Sequence, residues 1–394
     1  MSQFKPVEEF FSRVGSSDML LSVIAFIISF IVCFILIPVI IKLSTRFNLV
    51  DKPNERKVHK VPISRLGGLG IVLGTLSSAP LWFLKGDPAL LIHLLGGMLI
   101  LVIIGVVDDI RELPPKVKFL GQFVAALLLA HAGLLIDNLF GIFGIEHLPV
   151  LVQYVLTVFI VTGIINAFNL IDGIDGLAGG LALIDMMSFF VIFFVAHEVG
   201  TALIVASVGG GLLAFLKYNY HPARIFMGDT GSMILGFLLS AVGIMTLVIS
   251  RTASPHFSYS EAAIIVFSIF ILPVYDTLRV FAVRVINKKS PFSPDKTHIH
   301  HLLMQTGLNH PMSAKILYSS NIVLILTGFL LRSEKLILVV PLLLLEVILF
   351  SEFLTLYKLI KALFMGKKLQ NKALDMQSDN RLLIDNIEKK DGKD

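Results

Sequence analysis

Residues 166–180, NAFNLIDGIDGLAGG, place two amides and two carboxylates among glycines in an otherwise apolar stretch of chain. A charged side chain at the middle of a bilayer costs about 2.5–3.5 kcal/mol, so such carboxylates are expected to face water, a cation or a substrate. Three further polar blocks interrupt apolar sequence: VVDD at 106–109, FMGDTGS at 226–232 and HIHH at 298–301. The four blocks together predict one shared polar site.

Carboxylates, histidines and glycines are suited to magnesium and phosphate chemistry. Mg²⁺ usually takes one or two carboxylates and completes its shell with water and phosphate oxygens. The chain offers more carboxylates than Mg²⁺ needs. The remaining ones are available as a base, or as hydrogen-bond acceptors for the sugar and nucleobase. No serine or cysteine nucleophile with its base is apparent, and zinc fits poorly without cysteine ligands or an HExxH helix. The carboxylates in question are Asp108, Asp109, Asp172, Asp175 and Asp229.

The spacing within the blocks indicates how these groups are presented. Asn166, Asn169 and Asp172 stand three residues apart, so on a helix they share one face. Asp172 and Asp175 repeat that spacing across a glycine turn. Gly231 lies where an apolar stretch begins, so free N–H groups of a helix N-terminus are expected to face an anion there.

The chain that must position these groups has the composition of a polytopic membrane protein. It has 394 residues, 55% hydrophobic and 15% charged, whereas soluble domains carry about 25% charged residues. Since a helix needs about 20 apolar residues to cross the hydrocarbon core, we predict an all-α integral membrane bundle of about 11 transmembrane helices. The single cysteine, Cys33, excludes an intramolecular disulfide. The predicted spans are 19–43, 66–84, 89–107, 117–135, 149–166, 176–196, 199–217, 231–250, 261–284, 315–332 and 335–357.

Basic residues in the connecting segments predict the orientation. Lys and Arg concentrate in 44–65 and around 285–314, whereas 136–148 and 197–198 contain none. The positive-inside rule then puts the N-terminus outside and the C-terminus in the cytoplasm. An even number of predicted spans separates each polar block from the next, so all four are expected in one cleft at the cytoplasmic face. We predict a transmembrane domain over 1–357 and a charged cytoplasmic tail over 358–394.

Five blocks, in order along the chain, resemble a known family. They are DKPNERKVHKVPISRLGG at 51–68, VVDD at 106–109, NAFNLIDGIDGLAGG at 166–180, FMGDTGS at 226–232 and SPFSPDKTHIHHLL at 290–303. They resemble the polyprenyl-phosphate N-acetylhexosamine-1-phosphate transferases (glycosyltransferase family 4), membrane enzymes that start cell-wall and surface-polysaccharide lipid carriers. The resemblance implies a helical bundle in the bacterial inner membrane with its site in a cytoplasmic cleft.

The resemblance also implies the reaction and the roles of residues. A sugar-1-phosphate would pass from a UDP-sugar to undecaprenyl phosphate with release of UMP, and Mg²⁺, or Mn²⁺ in its place, would be the cofactor. Metal ligands are expected among Asp229, Asp108 and Asp109, and one of the last two would help to deprotonate or position the lipid phosphate. The expected catalytic residues are Asp108, Asp109, Asp229, His298, His300 and His301, and the expected substrate-binding residues are His59, Arg65, Asn166, Asn169, Asp172, Asp175 and Phe226.

The resemblance also implies which part of the substrate each of these residues contacts. Asn169, Asp172 and Asp175 would line the nucleoside pocket, and Phe226 would stack on uracil. The three histidines would meet the diphosphate or the sugar. Direct attack by the lipid phosphate is favoured over an aspartyl-phosphate intermediate, because the carboxylates are already needed as ligands.

Several alternatives stay open. The block PDKTHIHHLLMQTG resembles the branch that uses UDP-N-acetylglucosamine, but UDP-muramyl-pentapeptide or a UDP-deoxy-N-acetylhexosamine would suit the same chemistry. A transporter or flippase is the rival class, although its charged groups would lie near the midplane. His59 and Arg65 are equally typical of positive-inside residues, and Asp276 and Arg279 either pair with each other or serve the site. We expect the protein to lie in the bilayer and to bind no nucleic acid. Formation of a homodimer stays open.

Overall fold

The computed structural model describes residues 16–51, 62–140, 145, 147–252, 258–290 and 297–361. Within these ranges the protein is a bundle of thirteen helices with one short ribbon, in which β1 (Val50–Asp51) pairs antiparallel with β2 (Ile63–Ser64). The helices are α1 (Ser16–Arg46), α2 (Gly67–Ser77), α3 (Ala79–Lys85), α4 (Pro88–Arg111), α5 (Pro115–His131), α6 (Val150–Ile171), α7 (Leu177–Val195), α8 (Val199–Asn219), α9 (Gly228–Thr252), α10 (Tyr259–Ile286), α11 (Ile299–Gln305), α12 (His310–Leu330) and α13 (Leu336–Lys361).

The predicted all-α membrane architecture is confirmed. Nine of the described helices are long and apolar enough to cross a membrane, and the pair α2–α3, bent by 42°, would make a tenth span. The remaining predicted span corresponds to α5, which has 17 residues, near the lower limit for crossing the hydrocarbon core. Helix α13 continues to Lys361, beyond the predicted domain boundary at 357, and the rest of the predicted tail lies outside the described residues.

Helix α9 forms the centre of the bundle. In its most apolar 18-residue stretch 89% of the residues are buried, against 28% in α1 and α13. It packs against α2, α4, α6, α7 and α10. The contact with α2 needs glycine, because a Cβ on Gly68 would lie 2.2 Å from the backbone nitrogen of Gly231. The close approach of these backbones fixes where α9 begins relative to α2.

The polar blocks lie where helices begin or end. Asp108 and Asp109 occupy the last turn of α4, and α6 ends at Ile171, just before the DGIDG turn. Helix α9 begins at Gly228 and α11 at Ile299. Packing of these helices therefore brings four helix termini, and the side chains they carry, to one end of the bundle.

Candidate active site

Two carboxylates and a lysine form the core of the site. The Nζ atom of Lys118, near the start of α5, lies 2.7 Å from Oδ2 of Asp229 and 3.2 Å from Oδ2 of Asp108. The other oxygen of Asp108 accepts a hydrogen bond of 2.7 Å from the backbone N–H of Leu113. Asp108 is 7% exposed, so its charge needs a partner, and the Lys118 ammonium supplies one. This group of three is called the lysine–carboxylate cluster below.

Asp109 holds the beginning of α9. Its Oδ1 accepts a hydrogen bond of 2.8 Å from the N–H of Asp229, and its Oδ2 accepts bonds of 3.1 and 2.6 Å from the N–H and hydroxyl of Thr230. An anion at this end of a helix also interacts favourably with the helix dipole. Gly228 has φ of +69°, and a Cβ there would lie 2.5 Å from Oδ1 of Asp109. Gly228 thus permits both the left-handed turn and the close carboxylate.

The expectation of free N–H groups at this helix start needs correction. The first N–H groups of α9 donate to Asp109 rather than facing an open space. The helix begins at Gly228, three residues before the position expected from hydropathy, because the FMGDTGS turn enters the helix directly. The anion that the sequence predicts at this helix start is a side chain of the protein itself.

The end of α6 presents amides to the same region. The Asn169 amide donates 2.9 Å to the Ser232 hydroxyl on α9, and the Asn166 amide donates 2.7 Å to Oε1 of Gln122 on α5. The predicted shared face holds for these two asparagines, which both line the cavity described below. Asp172 is different, since α6 ends at Ile171 and Asp172 is the residue that caps it.

Asp172 lies in a strongly acidic environment. Burial raises the pKa of its carboxyl group, and the negative charges of Asp229, Asp109 and Asp175 raise it further, to about 7. Near neutral pH this carboxyl group can therefore gain or lose a proton, which an ordinary surface aspartate does not do.

Asp175 is held from three sides. Its Oδ2 accepts a hydrogen bond of 2.7 Å from Nδ1 of His221 and one of 3.2 Å from the N–H of Ala223, and its Oδ1 lies 3.5 Å from Nδ1 of His310. Burial would raise the pKa of this carboxyl group, but the hydrogen bonds from His310 and His221 outweigh burial and lower the pKa overall. Asp175 is therefore the firmly ionised neighbour of Asp172.

The histidine block lies against the DGIDG turn. Nδ1 of His298 and the N–H of Ile299 both donate to the carboxylate of Asp276, each over 2.9 Å. Both side chains of the Asp276–His298 pair are buried. The alternative pairing of Asp276 with Arg279 is weaker, at 4.0 Å. Asp276 thus fixes the orientation of the His298 ring.

His300 lies deeper and has a neutral ring. A Cβ on Gly173 would lie only 2.1 Å from Nε2 of His300, and the centroids of the His300 and His301 rings are 4.2 Å apart. Burial, followed by the neighbouring rings of His301 and His298, lowers the pKa of His300 well below its usual value. Neither of its ring nitrogens has a hydrogen-bond partner among the described residues.

Two predicted residues lie at the edge of the site, and one cannot be located. Nη2 of Arg65 lies 2.7 Å from Oδ1 of Asp51, so its guanidinium pairs within the ribbon. Phe226 is half-buried, and its backbone N–H donates 2.8 Å to the carbonyl of Ser64. His59 lies outside the described residues.

A large apolar cavity opens beside the lysine–carboxylate cluster. Its volume is about 1690 Å³, and it lies between α5, α6, α9 and α10. Lys118, Asn169 and Asp229 line one end, and Ile136 and Phe140 line the other. Ordinary small-molecule pockets measure about 300–1,000 Å³, so the cavity suits a ligand with a long hydrocarbon part and a polar end.

Two residues of the site, Lys118 and Gln122, are not predicted by the sequence, because they lie in a segment with the pattern of an ordinary apolar span. For Asp276 the structure decides between the two alternatives left open above: it orients His298 over 2.9 Å, whereas Arg279 lies 4.0 Å away. Two basic residues in PPKVK, just after the VVDD block, were the available signal for Lys118. No spacing rule links Lys118 to Asp229, because they are 111 positions apart.

Comparison with known proteins identifies relatives of this chain. Residues 91–247 match the family model described as glycosyl transferase family 4. A Bacillus subtilis protein named as a probable undecaprenyl-phosphate N-acetylglucosaminyl 1-phosphate transferase is 36% identical over 318 residues, which cover 80% of this chain and 86% of that protein. A decaprenyl-phosphate N-acetylglucosaminephosphotransferase of Mycolicibacterium smegmatis is 34% identical, covering 70% and 73%. A Yersinia pestis undecaprenyl-phosphate alpha-N-acetylglucosaminyl 1-phosphate transferase is 32% identical, covering 68% and 72%.

Proposed function

The chain belongs to glycosyl transferase family 4, and from this premise we propose that it transfers N-acetylglucosamine-1-phosphate from UDP-N-acetylglucosamine to undecaprenyl phosphate, with release of UMP. The relatives named above act on polyprenyl phosphates and N-acetylglucosamine phosphate. The product, a polyprenyl diphosphate sugar, would be the first lipid intermediate of a cell-wall or surface polymer.

One observation carries this proposal: the lysine–carboxylate cluster lies at one end of a large apolar cavity. A polyprenyl phosphate has the matching form, a long hydrocarbon chain with one anionic end. With the tail in the cavity, its phosphate would lie near Lys118, the cation that bridges Asp108 and Asp229. A small soluble substrate alone would not require an apolar cavity of this size.

The residues present also fit Mg²⁺. Asp229 and Asp108 offer hard carboxylate oxygens, and the Lys118 ammonium already lies between them, so the space between the two side chains suits a cation. We therefore assign the ion to Asp229 and Asp108, with Mn²⁺ as its substitute. When bound, the ion would neutralise charge on the transferring phosphates. Asp109 would act differently, by holding the start of α9 and with it Asp229.

The reaction joins two anions, so the side chains around them must reduce charge repulsion. An oxygen of the lipid phosphate attacks the phosphorus that carries the sugar, forming one P–O bond. The P–O bond to UMP breaks, and UMP leaves with the bonding electrons. Lys118 would attract and orient the lipid phosphate, in keeping with the positioning and electrostatic character of phosphoryl transfer. Neutral His300 and the oriented His298 would accept or donate hydrogen bonds at the diphosphate and sugar.

The donor would bind at the opposite side of the cluster. Asn169 and the turn that carries Asp172 and Asp175 would contact the nucleoside, and Phe226 would stack on uracil. Since UDP-sugars are made in the cytoplasm, the proposal requires this end of the bundle to face the cytoplasm, with the N-terminus outside, in agreement with the positions of Lys and Arg.

UMP release by the purified protein tests the proposal. We expect UMP only when UDP-N-acetylglucosamine, undecaprenyl phosphate and Mg²⁺ are all present, and we expect Asp229→Asn to lower the rate at least about a hundredfold. Asp87→Asn is the matched control: Asp87 is exposed at the other end of α4, and asparagine caps a helix as well as aspartate does. Activity with another UDP-sugar alone would overturn the sugar assignment. Silence with every UDP-sugar would contradict the proposal and favour a transporter.

A further inference from the structure

Three metal-ligating side chains meet beside the DGIDG turn, separate from the lysine–carboxylate cluster. Asp175, His221 and His310 each offer one ligand atom, and these atoms lie within 4.8 Å of one another. Nδ1 of His221 is 2.7 Å from one oxygen of Asp175, and Nδ1 of His310 is 3.5 Å from the other. We call this group the histidine–aspartate cluster.

The two distances from Asp175 to the histidine nitrogens, 2.7 and 3.5 Å, lie near the separation of two zinc ligands. Two ligands bound to a tetrahedral Zn²⁺ at about 2.0–2.1 Å lie about 3.4 Å apart. Imidazole nitrogen and carboxylate oxygen suit zinc and similar transition metals, whereas Mg²⁺ takes oxygen ligands. Small shifts of the His221 side chain, which is 42% exposed, would adjust the short distance.

Hydrogen bonding alone does not account for both histidines. His310 is largely buried, and its Nε2 has no hydrogen-bond partner among the described residues. The Nδ1 atom of His310, which would bind the ion, makes only weak contacts: it lies 3.5 Å from Oδ1 of Asp175, and it accepts a hydrogen bond of 3.5 Å from the backbone N–H of Asp175. His221, by contrast, reaches water and leaves a route by which an ion can enter. The N–H of Ala223 donates to Asp175 and fixes the carboxylate from outside the cluster.

We propose that Asp175, His221 and His310 bind a Zn²⁺ ion, with water in the fourth position. The ion would join three segments: the turn between α6 and α7, the turn between α8 and α9, and the start of α12. The sequence indicates that zinc fits poorly, because cysteine ligands and an HExxH helix are lacking. An HExxH helix places its ligands close together in the sequence. The argument therefore does not apply to this cluster, because His221 and His310 lie 46 and 135 positions from Asp175. The inference rests on the geometry of the three ligand atoms. It shares Asp175 with the proposed nucleoside pocket, but the metal-binding test below does not depend on the transfer reaction.

Cobalt binding tests the site directly. The full-length protein is purified in detergent, stripped with EDTA, and titrated with Co²⁺ in the absence of Mg²⁺, and visible absorption reports tetrahedral coordination. We expect tetrahedral bands that saturate at one Co²⁺ per chain, and loss of these bands when Zn²⁺ is added; Co²⁺ at the oxygen ligands of the lysine–carboxylate cluster would not contribute tetrahedral bands. His221→Ala and His310→Ala should each weaken binding at least about tenfold, as loss of metal-site residues does. His131→Ala, at an exposed histidine on α5, is the matched control and should bind as wild type does.

Asp229→Asn separates this site from the lysine–carboxylate cluster. We expect the tetrahedral bands to persist in that variant. Absence of bands in the wild type, or bands unchanged by His221→Ala, overturns the proposal. Bands lost in Asp229→Asn but kept in both histidine variants would also overturn it, because the ion would then lie at the other cluster. Since His221 is exposed, its substitution leaves the folded core intact, so a failure of His310→Ala to fold would not prevent the test.

Discussion

Asp109→Asn distinguishes a residue that holds the start of α9 from a residue that binds metal. The Asp109 carboxylate accepts three hydrogen bonds from Asp229 and Thr230, of 2.8, 3.1 and 2.6 Å. Asparagine can keep its oxygen on the side of Thr230, and then presents an amide N–H to the N–H of Asp229. One bond to a charged acceptor, worth about 1.5–3 kcal/mol, is lost, and one buried donor is left unsatisfied at about 1–3 kcal/mol. We therefore expect a loss of about 2.5–6 kcal/mol in the stability of this region.

The effect on catalysis follows from the position of Asp229. A displacement of a catalytic group by about 1 Å can cost about a hundredfold in rate, so we expect Asp109→Asn to lower the transfer rate by about that factor. Thr230→Val is the matched control, because it keeps the side-chain volume and removes only the hydroxyl hydrogen bond. It should lose about 1–3 kcal/mol, less than Asp109→Asn.

Thermal unfolding in detergent with EDTA, followed by the transfer assay, checks this prediction. In EDTA no divalent cation is bound, so loss of a metal ligand would leave the melting temperature unchanged. Loss of the hydrogen bonds would still lower it. The reasoning is refuted if Asp109→Asn has the same melting temperature as the wild type in EDTA and differs from it only in its Mg²⁺ requirement. That result would return Asp109 to the role of metal ligand.

Two further substitutions test the oriented histidine and the acidic turn. The Asp276→Asn substitution presents an amide N–H to Nδ1 of His298, so the ring proton moves to Nε2. We expect the rate in the transfer assay to be about 10–100-fold lower. An unchanged rate would contradict the role given to Asp276. The carboxyl group of Asp172 has a pKa of about 7 in the folded protein, against an ordinary value of 3.8. The folded state therefore binds this proton more tightly than the unfolded state does. The stability of the protein in EDTA should fall as the pH rises from about 4 to about 7. Asp172→Asn should flatten that part of a plot of melting temperature against pH, and an identical slope in both proteins would count against the raised pKa.

The arrangement of helices was largely predictable, because the bilayer imposes a length and an apolar composition on every span. All eleven predicted segments correspond to helices. Hydropathy could not show the bend between α2 and α3, where Pro80 lies in the first turn of α3, nor the early end of α5 at His131. The early start of α9 at Gly228 depends on its carboxylate neighbour from α4, which hydropathy does not record.

The site was predictable to the level of blocks but not of contacts. Glycines and carboxylates in apolar sequence indicated which blocks would come together, and the structure does bring them together. Asp108 and Asp109, adjacent in sequence, point to different partners because successive helix positions are about 100° apart. The partners themselves, Lys118 for Asp108 and Asp276 for His298, are fixed by helix packing and leave no trace in local spacing.

The burial of α9 has a consequence for how the site responds to its surroundings. The helix that carries Asp229 is enclosed by other helices, whereas α1 and α13 expose most of their residues on the outside of the bundle. Changes in bilayer thickness, fluidity or headgroup composition act first on the outer helices, and they reach the middle of α9 only through close-packed protein of low compressibility. Asp229, at the beginning of α9, lines the apolar cavity, so the cavity is the route by which the membrane reaches the charged centre.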